Sequence, residues 1–188
     1  MIRKLFHAVL ACGVLTSPLL AQQEEKPPEC PLHAQHTQAA VPEHAGHGDA
    51  EALDARGDEV MGFGHTQTQH NFLLTEDGGT IQVQVNDPAD AASLGQIRAH
   101  LAQIAKAFSN GDFTMPAEIH DRVLPGVEEM TRLRGSIQYR YEDTENGGRV
   151  RITTVDRQAL MAVHAFLRAQ IVDHRTGDPL HLSGPAHR

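Results

Sequence analysis

Glu76-Asp77-Gly78-Gly79-Thr80-Ile81-Gln82-Val83-Gln84-Val85 is matched sixty-nine positions further on by Glu145-Asn146-Gly147-Gly148-Arg149-Val150-Arg151-Ile152-Thr153-Thr154. Each copy runs from a turn signal into residues that alternate apolar and polar, which is the pattern of a hairpin entering a strand with one wet face. In the first copy, Asp77-Gly78 is expected to supply the positive backbone angles of the turn. Asp87 and Asp156 follow at the same offset, each placed to cap a helix, with Pro88 suited to a first helical position. Asn110-Gly111-Asp112 and Thr176-Gly177-Asp178 close the two helical runs, and a shortfall of three residues is expected inside the second helix.

The flanking residues keep the same parity. His70, Phe72 and Leu74 share one face of the strand before the first turn, and Ile137, Tyr139 and Tyr141 share one face before the second. The offset places Tyr139 and Tyr141 on His70 and Phe72. Leu94, Ile97, Leu101, Ile104 and Phe108 recur at three- and four-residue steps, with His100 on the edge of that stripe; Leu160, Val163, His164, Leu167 and Ile171 do the same in the second helix. The expected fold class is therefore α+β: a duplicated hairpin-plus-helix unit (ββα-ββα), forming a four-stranded antiparallel sheet with two helices on one face. The repeats span about 69–112 and 136–178 of a domain covering 59–180, with 181–188 as a C-terminal tail. Residues 113–134 connect the units through breaks at Thr114-Met115-Pro116 and Leu124-Pro125-Gly126, with a short helix expected from Val127 to Arg134.

The beginning of the chain is expected to be an export signal, residues 1–21. Arg3 and Lys4 precede an apolar run from Leu5 to Leu15, and Ala21 offers a small residue at the cleavage point. That run is too short to span a membrane, so the mature chain is expected to be periplasmic or secreted, without a membrane span. Lipid anchoring through Cys12 is the lesser alternative. Removal of the leader leaves Cys30 as the single cysteine, which excludes an intrachain disulfide.

Residues 22–58 are rich in Gln, Glu, Pro, Ala, His and Gly and show no apolar period, so a disordered tail is expected. Within it stand Cys30, His33, His36, His44 and His47, ligand types suited to zinc, copper or nickel. Cys30-Pro31-Leu32-His33 resembles the Cys-Pro-Met-His segments of some bacterial copper- and heavy-metal-handling proteins, with Leu32 in place of the thioether. The resemblance covers four residues and implies metal handling by the tail.

A formal charge of -8 removes the basic face that nucleic-acid binding requires. Serine-hydrolase, zinc-protease and phosphate-loop signatures are missing, and no nucleophile stands beside a histidine, so catalysis is disfavoured. The histidines carry the functional expectation. His70 and His164, inward on a strand and a helix from different units, are expected to converge on one metal ion. His65, His100 and the thioether of Met61 would lie near them, and Cys30, His33, His36, His44 and His47 would form a second site in the tail. The implied cofactor is a copper or zinc ion for sequestration or handover, with Met61 favouring Cu(I). The alternative is a module binding haem or a small organic molecule in a cleft lined by Phe72, Tyr139, Tyr141 and Phe166, with His164 as an axial or orienting group. A homodimer through an open sheet edge is the expected macromolecular partner.

Overall fold

A computed structural model describes residues 45–182. Helix α1 (Ala45–Met61) is followed by strands β1 (Thr68–Thr75) and β2 (Gly78–Val85), then by helices α2 (Ala91–Ser109), α3 (Thr114–His120) and α4 (Val127–Arg132). A 3-10 turn at Arg134–Ser136 leads into strands β3 (Ile137–Thr144) and β4 (Gly147–Thr154), and helix α5 (Arg157–Asp173) completes the order. The four strands form one antiparallel sheet in the order β1-β2-β4-β3, so the two hairpins meet through their second strands. Ile81 pairs with Phe72 on one side and Val150 on the other, and Tyr141 lies across from Val150; these four share the inward face.

Both long helices pack on that face. Leu167 of α5 crosses over Gly79, where an added Cβ would stand 2.2 Å from its Cδ1. Leu101 of α2 crosses over Gly148, where a Cβ would stand 3.2 Å from its Cδ1. Two positions without side chains thus let each helix approach the sheet backbone. The core between the layers is closed by Phe108, Phe166, Ile97, Leu101, Val163 and Leu167, all fully shielded.

Local details differ from expectation. Asp90, not Asp87, caps α2 by accepting from the Ser93 N–H, while Asp87 closes a preceding turn by accepting from the Ala89 N–H. The three-residue difference therefore lies before α2, as an added turn, and not inside α5. Asp156 caps α5 as expected, accepting from the backbone N–H groups of Gln158 and Ala159. The hairpin turns consist of Glu76-Asp77 and Glu145-Asn146, and Asp77 does not adopt a positive φ. Thr114-Met115-Pro116 opens α3 instead of breaking the chain. Pro116 falls in the first helical turn, where a missing N–H costs nothing.

Residues 45–58, expected to be disordered, are helical within α1. The helix is held by tertiary contacts: Leu53 is buried, Arg56 donates from Nε to the Ile119 carbonyl at 2.8 Å, and Asp54 pairs with Arg175 at 2.8 Å. Its buried stripe is narrow, because Gly57 occupies the position one turn after Leu53. The rest of the 22–58 segment and the expected signal at 1–21 lie outside the described residues, as does 183–188. Among the described residues, no helix is long and apolar enough to cross a membrane. The outer edge of β1 is partly occupied, since the Phe72 N–H donates to Asp178 Oδ2 at 2.8 Å.

Candidate metal site

The course of α5 over β1 decides which histidines meet. Midway along the helix, His164 Nε2 lies 2.9 Å from both the Thr75 and Gly78 carbonyl oxygens, so the Nε2–H donates to the first hairpin turn. His70 pairs across from Val83, whereas Thr75 pairs across from Gly78. Five strand residues separate those positions, about 17 Å at ~3.3 Å per residue. The expected convergence of His70 and His164 on one ion is therefore corrected: His164 is a pin that fastens α5 to the first hairpin.

The far end of α5 supplies the partner. His174, the C-cap residue, lies ten residues beyond His164, about 15 Å along the axis. Its ring stacks on His70 with centroids 5.8 Å apart and planes 5° apart. His120, at the end of α3, meets His174 edge-on at 5.0 Å. Phe63 stacks on His70 at 6.1 Å and meets His100 edge-on at 5.6 Å. Imidazoles from β1, α2, α3 and α5 thus surround one place, together with the thioethers of Met61 and Met115. The cavity between them is about 40 Å³, and the rest of its lining is apolar, including Phe72, Ile81, Val83 and Leu101, apart from the amide of Gln170. A second, more polar cavity of about 230 Å³ shares Met61, His70 and His174 with it and also includes Asp54, His65 and Arg175.

Burial keeps these rings neutral. Desolvation lowers the His70 pKa from 6.5 to about 4, helped by the neighbouring His100 and opposed by Asp58. Desolvation alone brings His100 to about 4. His174 falls to about 3 through desolvation, with His70 and His120 adding to it. His120 is also lowered by burial, against the pull of Asp173. Both ring nitrogens are engaged: the neutral ring donates from Nδ1 to Asp173 Oδ2 at 2.7 Å, and Nε2 accepts from the Gln170 side-chain amide, 3.1 Å away, with the amide NH2 turned toward the ring. His70 differs: its Nε2 is shielded from solvent and has no hydrogen-bond partner, a condition shared only by the Tyr139 hydroxyl among the described side chains. A buried polar atom left without a partner is costly.

Met61 ends α1 and lines both cavities, and His100 is buried on the wall of the smaller one. His65 stands outside that wall, with Nδ1 3.0 Å from both oxygens of Asp58. Cys30, His33, His36 and His44 lie outside the described residues, and of His47 only the helical backbone is described. Among the described residues no group of three or more His, Cys, Asp or Glu side chains has the arrangement of a metal site. The expected aromatic cleft is not formed by its four residues: Phe166 is fully buried and meets Phe108 edge-on at 5.8 Å, and Tyr139 meets Phe108 edge-on at the same distance.

In the sequence His120 is expected only near the inward layer, and neither it nor His174 is singled out as a ligand. Helical periodicity puts His174 on the inward stripe, but only the course of α5 along β1 brings it to His70. No family model, no curated protein and no solved structure matches this chain.

Proposed function

We propose that this is an exported metal-binding protein whose folded domain holds one copper or zinc ion with His70 and His174, beside the thioether of Met61. The observation that carries this reading is the unpartnered Nε2 of His70 on the wall of a small cavity. A neutral imidazole with a free lone pair is the form that binds a metal, and a cavity of about 40 Å³ admits an ion or a water molecule. The His- and Cys-bearing segment before residue 45 would serve as a second, exchangeable set of ligands, suiting sequestration or handover in the periplasm.

We further infer that the domain arose by duplication of a hairpin-plus-helix unit. Support comes from the reciprocal contacts: Gly79 lies beneath Leu167, and Gly148, its counterpart sixty-nine positions on, lies beneath Leu101. Each helix thus packs on a glycine of the other hairpin. The second copy has no counterpart of His70, because Tyr139 stands at that offset.

The test is the metal content of untagged protein, purified with and without His70→Gln plus His174→Gln. The expected result is loss of one equivalent per chain in the double variant, with its helical and sheet signal retained. A folded double variant with full metal content would take the domain out of metal binding.

A further inference from the structure

Resting on that reading, we propose that the domain site is selective for a soft monovalent ion, Cu(I), and rejects Zn(II) and Cu(II). Charge favours the monocation. The cost of burying an ion rises with the square of its charge, so a dication costs about four times a monocation in the same surroundings. Beside the imidazoles and thioethers the cavity is walled by apolar side chains such as Phe72, Ile81, Val83 and Leu101, which cannot solvate an ion, and the amide of Gln170, which also lines it, is already engaged by His120 Nε2.

Nearby acids offer little compensation. Asp54 is tied to Arg175 at 2.8 Å, and Asp173 is tied to His120 and Arg122. Asp58 is the carboxylate whose field reaches His70, and both its oxygens already contact His65 Nδ1. One nearby negative charge, itself hydrogen-bonded, matches a monocation and leaves a dication uncompensated.

Ligand type points the same way. Zinc takes four N, S⁻ or O donors in a tetrahedron, with water filling a missing position. His120 has both nitrogens engaged, and the cavity contains no carboxylate or thiolate. What remains is imidazole with thioether, a soft set that selects Cu(I). Met61 is placed to act as that thioether, since it lies with His70 and His174 on the wall shared by both cavities.

The experiment uses the untagged full-length chain and Ag(I) as a redox-inert probe for Cu(I). NMR signals of the His70 and His174 imidazoles and of the Met61 methyl report on the domain, separately from ligands in the segment before residue 45. The expected result is that Ag(I), added beyond the amount that Cys30 takes up, shifts all three signals together, while Zn(II) at the same ratio leaves them in place. Zn(II) shifting the two imidazoles would overturn the selectivity and leave the metal-binding reading standing. If neither ion moves them, both fall. Met61→Leu keeps the apolar volume and is expected to weaken Ag(I) binding by about tenfold or more, with the thermal midpoint of the metal-free chain moving by no more than a few degrees. Unchanged affinity in that folded variant would take the thioether out of the site.

Discussion

Lowering the pH from 7.5 to 5 should destabilise the metal-free domain, through the half-buried imidazoles of His70 and His174 and the buried one of His100. His70 and His100 titrate near 6.5 when unfolded and at about 4 when folded, and His174 at about 3. Between those values the unfolded chain binds more protons than the folded one, so stability is lost as pH falls through 6.5 and the loss levels off below the folded pKa. At pH 5 the window crossed is about 1.5 units, or about 2 kcal/mol for one such ring at ~1.36 kcal/mol per unit. Three coupled rings set an upper limit of about 6 kcal/mol, a large part of the ~5–15 kcal/mol that holds a domain together. Carboxylates with lowered values, such as Asp77, contribute only as pH falls below 3.8, a separate window. Urea unfolding of metal-free protein at pH 7.5, 6 and 5 gives the measurement. His100, only 8% exposed, provides the control: His100→Leu should make the pH dependence shallower by about 2 kcal/mol at pH 5. A wild-type midpoint that does not move over this range, or a His100→Leu variant with an unchanged slope, would show that these rings do not set the acid stability.

Other substitutions separate structural from binding roles. His164→Leu removes the donor to the Thr75 and Gly78 carbonyls and should cost about 1–3 kcal/mol of stability while leaving metal stoichiometry unchanged; loss of the metal equivalent would restore His164 to the site. Gly79→Ala should cost about 1–3 kcal/mol or more by overpacking, because the new methyl would meet Leu167 and the Leu73 carbonyl, and thermal unfolding reads this directly. Asp156→Ala should cost about 1 kcal/mol in urea unfolding through loss of the α5 cap, whereas Asp87→Ala should leave α2 intact, since Asp90 caps it. Leu53→Ala should loosen α1 and lower stability by about 2 kcal/mol, measurable by faster amide exchange in residues 49–61.

Alternation and the sixty-nine-residue offset are enough to place four strands, two long helices and the inward parity of His70, Phe72, Ile81 and Val150, because side-chain direction in a strand follows from sequence position. The helix stripes are legible for the same reason. Helix α1 is not: its contacts with α3 depend on Leu53, a glycine and an arginine reaching a backbone carbonyl, and none of these makes a periodic apolar signal. The α2 cap is ambiguous in the sequence because Asp87 and Asp90 are equally good capping residues, and only the added turn between them decides which one meets the helix.

For the site, helical and strand periods place His70, His164 and His174 on inward faces. They do not choose between His164 and His174, which lie about 15 Å apart on one helix face. That choice belongs to the direction in which α5 runs over β1, set by packing of Leu167 against Gly79. Periodicity reports which face of an element is buried; position along a neighbouring element is a property of the packed layers, and it is there that His70 finds His174.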